Sequence, residues 1–379
     1  MAVHQFSFPT QIHFGPGARR LLGAHLQAAG VKRPLVVTDR GVAALPLTGE
    51  LSAALQRAGL TPAVFPDVFG NPVASQVAAG VAAYRAHSAD AVVGLGGGAA
   101  LDVAKVVALM AVHEGGVLEY AWDHPRVRPI TRALPYFVAL PTTSGTGSEV
   151  GRSAVISDEA SHVKKIIFSP ALLARAVFAD PELTLDLPVK ITAATGMDAL
   201  THNVESYLSP AYHPLCDGIA LEGARIVARA LPLVVKDGRN LAARSDMMMG
   251  SMMGAIAFQK DLGAVHSCAH ALSAVCDLHH GLANGIMLDH VMRFNADAAP
   301  EKFAELARVC GAGNDAAAFV NWLKGLKETV GIPARLGAVG VKPEHLPKLV
   351  EVAVADSCHR TNPKPCTRAD FERFFAEAL

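Results

Sequence analysis

AVVGLGGGAALDVAK, residues 91–105, decides the fold class. Ala91 to Leu95 is a short apolar run rich in β-branched residues, which reads as a buried strand. Glycines 96–98 follow at once, and a helical pattern runs from Ala99 to Val112. A strand, then glycines, then a helix N-terminus lets backbone N–H groups approach a pyrophosphate. The plainer alternative is a tight strand–helix turn with no ligand.

Working outward, the same alternation recurs. Leu35–Thr38, Phe137–Leu140 and Ala176–Ala179 read as buried strands, and Ala18–Ala29, Glu50–Ala58 and Val73–His87 as helices. That order argues for a largely parallel sheet wrapped by helices. Gln5–Phe14 alternates and would be an edge strand or a strand given to a partner subunit. The glycines are not in the ordinary dinucleotide position, which follows the first strand and has its acid about 20 residues later. Asp39 instead ends an early strand. It would accept hydrogen bonds from ribose hydroxyls, favouring NAD over NADP, or be a turn aspartate before Gly41. Pro141-Thr-Thr-Ser-Gly-Thr-Gly-Ser-Glu149 follows another strand, and its hydroxyls and glycines suit the polar edges of a cofactor.

After Asp180-Pro181 strand-like runs nearly vanish, and Ala-, Leu- and Met-rich helical patterns continue to the end. The expected division is an α/β dinucleotide-binding domain over residues 1–184 and a helical domain over residues 185–379. The helical half carries a metal-ligand pattern. Asp198 and His202, in Gly196-Met-Asp-Ala-Leu-Thr-His202, lie four apart on one helix face. His266, His270 and His280 follow within VHSCAHALSAVCDLHHG, residues 265–281. One carboxylate with three imidazoles suits a divalent transition metal. His266 and His270 share the four-residue spacing, so geometry alone leaves open which of them ligates. A metal facing a nicotinamide is a plan for hydride transfer to or from a carbonyl, with the substrate expected between the domains.

Composition bounds the alternatives. With 34 basic and 34 acidic residues the net charge is zero, which gives no footprint for nucleic acid. No apolar run reaches membrane-spanning length; the nearest, Val103–Val112, contains Lys105. The N-terminus lacks a signal-peptide pattern. Six cysteines without a CxxC pair fit reduced thiols in a cytoplasmic setting.

GGGAALDVAK, PTTSGTGSEV, GMDALTH and HSCAHAL…HHG, in this order, resemble the signature segments of the iron-dependent (group III) alcohol dehydrogenases, over essentially the whole chain. The resemblance implies a Rossmann-like N-terminal domain and an all-α C-terminal domain, in the dehydroquinate synthase-like fold of that family. It implies NAD(P)-dependent interconversion of primary alcohols and aldehydes, with Fe2+, Zn2+ or another divalent ion, in a homodimer. The implied metal ligands are Asp198, His202, His266 and His280, with His270 near the nicotinamide as orienter or proton relay. Gly97, Gly98, Asp102, Thr142, Thr143, Thr146 and Lys164 would contact the cofactor, and Phe258 and Cys358 would line the substrate pocket. Ala99 stands where many members have Ser. Phe258–His266 and Cys358–Lys364 look more like the branch containing 4-hydroxybutyrate dehydrogenases. In such an enzyme Lys260 or Arg360 would neutralise the far carboxylate of an ω-hydroxy acid. The rival readings are a metal-free reductase resembling maleylacetate reductases, a hydroxyacid–oxoacid transhydrogenase, and a non-catalytic dinucleotide-binding protein.

Overall fold

A computed structural model describes Phe6, Phe8, residues 10–161 and residues 163–379. The chain divides into two compact units. Of the described residues, one unit comprises those in 8–143 and 147–184; the other comprises residues 185–379 with residues 144–146 and Phe6.

The first unit is built on eight strands: β1 (Gln11–Phe14), β2 (Pro34–Asp39), β3 (Ala63–Val68), β4 (Ala91–Gly96), β5 (Tyr136–Pro141), β6 (Ser153–Ser157), β7 (Lys164–Phe168) and β8 (Ala176–Ala179). Six of them form one parallel sheet in the order β1-β8-β5-β4-β2-β3. β4 and β8 are buried throughout and β2 and β5 over most of their length, as expected of a parallel sheet covered on both faces. β3 has no counterpart among the expected strands because Pro66 and Asp67 break its apolar run. It sits at the sheet edge, where a missing N–H costs little. β1 takes the other edge, so the N-terminal edge-strand reading holds for Gln11–Phe14. Gln5, Ser7 and Pro9 lie outside the described residues. β6 and β7 form a separate antiparallel hairpin that the sequence reading did not anticipate.

Gly96 makes the sharp exit from β4. Its φ is +149°, and a Cβ there would lie 2.6 Å from Ala100 Cβ and 3.0 Å from Asp39 Oδ2. The Gly98–Val112 helix starts two residues later, with Gly97 as its N-cap. This helix carries a buried polar cluster. Lys105 Nζ donates to Ser148 Oγ at 2.8 Å and to Ser153 O at 2.7 Å, with Asp102 at 3.7 Å. Asp102 accepts from Ser148 Oγ at 2.6 Å and from the Val155 amide at 2.9 Å. The cluster ties the loop after β5 and the start of the hairpin to the helix. Glu149 lies in the same loop, 2% exposed. Burial pushes its carboxyl up to about 7, against the opposing pull of its own amide and of Lys105.

The second unit is helical. Val189–Leu208, Pro214–Lys236, Leu241–Ala257, Ala264–Cys276 and His280–Asn295 are its first five α-helices. Four more follow: Pro300–Val309, Ala316–Val330, Leu346–Ala355 and Arg368–Ala378. Every residue of Val189–Leu208 from Thr192 onward is buried, polar ones included. An apolar core of alanine, leucine, methionine and phenylalanine side chains surrounds it. No helix among the described residues is long and apolar enough to cross a membrane. All six cysteines are free thiols.

Two expectations follow. Gly96→Ala forces a β-carbon into a left-handed backbone and into Ala100, so thermal unfolding should report a loss of about 1–3 kcal/mol; an unchanged melting temperature contradicts the geometry. The folded state holds the Glu149 proton up to about pH 7, whereas the unfolded chain releases it near the ordinary 4.5. Its contribution to stability therefore falls as pH rises across that window and is flat above it. Glu149→Gln should flatten stability between pH 4.5 and 7 in denaturant titrations, and an unaltered slope refutes the assignment.

Candidate active site

Within the helical unit, three helices converge on one carboxylate oxygen. Asp198 and His202 project from the same face of Val189–Leu208, His266 lies in the first turn of Ala264–Cys276, and His280 opens His280–Asn295. The Nε2 atoms of His280, His266 and His202 lie 3.5, 3.9 and 4.0 Å from Asp198 Oδ1. Ligands bound at about 2.0–2.2 Å to one tetrahedral ion stand roughly 3.3–3.6 Å from each other, so this spacing is close to that of a coordination shell. Asp198, His202 and His266 are all buried. His280 reaches the cage because Gly281 lets its helix approach: a Cβ there would meet Ala194 O at 2.4 Å and Asp198 Cβ at 3.1 Å.

The outward ring nitrogens fix the tautomers. His202 Nδ1 is 3.2 Å from Gly145 O, and His266 Nδ1 is 2.6 Å from Glu205 Oε2. A carbonyl oxygen only accepts, so His202 Nδ1 carries the hydrogen and its Nε2 presents a lone pair inward; Glu205, which also accepts the Val265 amide at 2.7 Å, plays the same part toward His266 in its ionised form. Burial, with His202 adding to it, pushes His266 well below its ordinary value, which keeps it neutral as a ligand must be. Glu205 is fully internal; burial raises it to about 7, while the amides of Val265, Gly263 and His266 pull the other way. A carboxylate with three imidazoles fits a divalent transition metal.

Beside the cage, the His270 ring stacks on His280 with centroids 5.3 Å apart. Its Nδ1 lies 2.8 Å from Asp356 Oδ2, and Asp356 Oδ1 accepts from Ser267 Oγ and from the Cys358 amide, each at 2.8 Å. Burial works against the Asp356 carboxylate, yet His270 and these donors hold it well below the usual carboxylate range. The Cys358 thiol lies close to His270 and Asp356. Burial, reinforced by Asp356, pushes that thiol well above its ordinary value, so it stays neutral. The Phe258 ring lies 5.3 Å from His202.

Lys260 does not meet its expectation. Its ammonium is buried against Asp217 and lies 3.4 Å from Tyr207 O, with no exposed side-chain surface. A charge already paired inside the fold cannot neutralise a substrate. Arg360, two residues after Cys358 in the same short turn, is exposed. The sequence reading also missed Glu205, Asn284 and Asp356. Glu205 lies three residues after His202 and seven after Asp198, on the ligand face of one helix, and Asn284 lies four after His280. That periodicity was the available signal. Nothing local marked Asp356.

The first unit gathers several expected cofactor residues at the C-terminal ends of adjacent parallel strands, where open α/β sheets bind ligands. Gly97 and Gly98 open the helix after β4, and a Cβ on Gly97 would lie 3.2 Å from Thr143 Cγ2. The Thr142 amide donates to Gly96 O at 3.0 Å. Asp39 ends β2, and its Oδ1 accepts from the Val42 amide at 2.9 Å, capping the short Arg40–Ala43 helix. Asp102 spends both oxygens on Ser148 and Val155, so it shapes the loop from beneath. Lys164 opens β7 of the hairpin, and Thr146 belongs to the short segment that groups with the helical unit.

Comparison with known proteins accounts for the whole chain. Residues 9–181 match the iron-containing alcohol dehydrogenase model, and residues 192–379 match the C-terminal model of the Fe-containing alcohol dehydrogenase family. A 4-hydroxybutyrate dehydrogenase of Cupriavidus necator is 39% identical, with 98% of each chain covered. A 1,3-propanediol dehydrogenase of Klebsiella pneumoniae is 36% identical, with 100% of each covered. The solved structure of a 1,3-propanediol oxidoreductase superposes with a TM-score of 0.95 at 35% identity, covering 100% of both chains. The protein therefore belongs to the iron-containing alcohol dehydrogenase family and is an oxidoreductase acting on CH–OH groups.

Proposed function

We propose that the enzyme interconverts an ω-hydroxy acid, of which 4-hydroxybutyrate is the model, and its aldehyde with NAD as hydride carrier. The observation that carries the activity is the convergence of three imidazole Nε2 atoms on Asp198 Oδ1. An ion held by Asp198, His202, His266 and His280 would supply Lewis-acid polarisation of the reacting oxygen, and the nicotinamide would accept or give the hydride. Fe2+ is the family's ion, and Zn2+ suits the same donors. The chain's own groups do the rest. Glu205 and Gly145 O orient two imidazoles. Asp356 holds the Nδ1 hydrogen of His270, which leaves Nε2 to take the alcohol proton or return it. Phe258 and the neutral Cys358 thiol form apolar walls beside these groups.

NAD rather than NADP is supported by the Asp39 carboxylate at the end of β2, which suits ribose hydroxyls and repels a 2′-phosphate. The ω-hydroxy acid class is supported by the likeness to a 4-hydroxybutyrate dehydrogenase and by exposed Arg360 next but one to Cys358. The complete ligand set speaks against a metal-free reductase. A cytoplasmic setting suits six free thiols, and a homodimer remains the expected assembly.

His266→Ala should lose bound metal, whereas His270→Ala should retain it and lose about 10²-fold or more in kcat. Metal analysis paired with steady-state rates reads both, and the reverse pattern overturns the assignment. For the substrate, Arg360→Ala should lower the kcat/KM ratio of 4-hydroxybutyrate to 1-butanol by about tenfold, the scale of one charge-assisted contact. An unchanged ratio removes Arg360 and weakens the acid reading.

A further inference from the structure

Asn284 sits one turn after His280 and is fully buried. Its Nδ2 lies 2.7 Å from Asp198 Oδ1, 3.2 Å from His280 Nε2 and 3.3 Å from His266 Nε2. One amide nitrogen thus faces three of the four ligand atoms at once. Asp198 Oδ1 is a carboxylate oxygen, and Nε2 of His266 presents a lone pair because its Nδ1 hydrogen faces Glu205. Acceptors on that side require the NH2 end of the amide to point inward. The orientation has a cost: Asn284 Oδ1 is left buried without a partner. An amide held at that cost is placed for what its nitrogen does.

We propose that Asn284 is a positioning residue that holds the ligand atoms ready in the metal-free enzyme and thereby sets how readily the metal exchanges. Asp198 Oδ1 stands 3.5, 3.9 and 4.0 Å from the Nε2 atoms of His280, His266 and His202, crowding four potential acceptors together. Such a cluster repels itself unless a donor enters it, and the two hydrogens of Nδ2 supply one. An ion held there would take up the imidazole lone pairs, and the amide would then keep its contact with Asp198. Asn284 therefore stabilises the metal-free form more than the metal-bound form. By linkage, a group of that kind lowers apparent metal affinity. Its role is a ready, exchangeable site in place of a tighter one that loses its shape when the ion leaves.

The inference rests on the proposed ligand set, and the experiment separates the two. Zn2+ affinity is measured by competition with a chelator for the parent enzyme, Asn284→Ala and Asn284→Asp, and melting temperatures are taken with and without Zn2+. If the parent binds no Zn2+, the ligand assignment itself fails. If the parent binds one equivalent, Asn284→Ala should bind about tenfold more tightly. Asn284→Asp, which keeps the shape but exchanges the donor for a carboxylate, should bind more tightly still, with the added charge contributing, so the Ala variant decides. Both should melt lower than the parent by a larger margin without Zn2+ than with it. Weaker or unchanged affinity, or equal losses of melting temperature in both forms, would mean that Asn284 only packs, and the proposal would be wrong. Should Asn284→Ala fail to fold without metal, Asn284→Leu, which fills the space with neither donor nor charge, carries the comparison.

Discussion

Burying a carboxylate in a helical core is among the most expensive things a fold can do, and the second unit is organised around one. Asp198 is 1% exposed. Charge at that depth survives only when paired, hydrogen-bonded or coordinated. Three imidazole nitrogens and one amide nitrogen supply the surroundings, and each arrives on a helix whose position answers to Asp198. Gly281 permits the approach of one helix, and Gly254 serves another, since a Cβ there would meet His202 Cβ at 2.9 Å. Glycine at these helix positions loses local propensity and gains the close packing that the shared oxygen demands.

The partners behind the imidazoles make the cage directional. Glu205 and Gly145 O take the outward hydrogens of His266 and His202, so the inward nitrogens offer lone pairs. The same device, with a different carboxylate, recurs one turn away, where His270 Nδ1 meets Asp356 and the ring stacks on His280. The two histidines of one helix differ in where the inner nitrogen stands: His266 Nε2 lies 3.9 Å from Asp198 Oδ1, and His270 stands beside the cage.

That difference explains what the sequence could and could not disclose. Spacing placed Asp198 and His202 on one face because four residues make about one turn. The same spacing made His266 and His270 equivalent, and only where each stands relative to the cage separates them. The central strands were legible because a parallel sheet buried on both faces needs continuous apolar runs, as β4 and β8 show. β3 was not, since an edge strand tolerates Pro66 and exposed positions. Lys260 misled for a geometric reason. It ends the short Phe258–Lys260 turn, and the next residue, Asp261, takes φ +64°. Proximity in sequence to Phe258 therefore says nothing about direction, and the ammonium turns toward Asp217.

The central claim is that one ion is held by one carboxylate oxygen and three imidazoles, with the neighbouring thiol standing apart. X-ray absorption at the metal edge of the loaded enzyme tests this directly. The account predicts a shell of nitrogen and oxygen scatterers at about 2.0–2.2 Å, with the outer-ring signature of three imidazoles and no sulfur. A sulfur scatterer near 2.3 Å, for which Cys358 beside His270 would be the candidate, or fewer than three imidazoles, would contradict it.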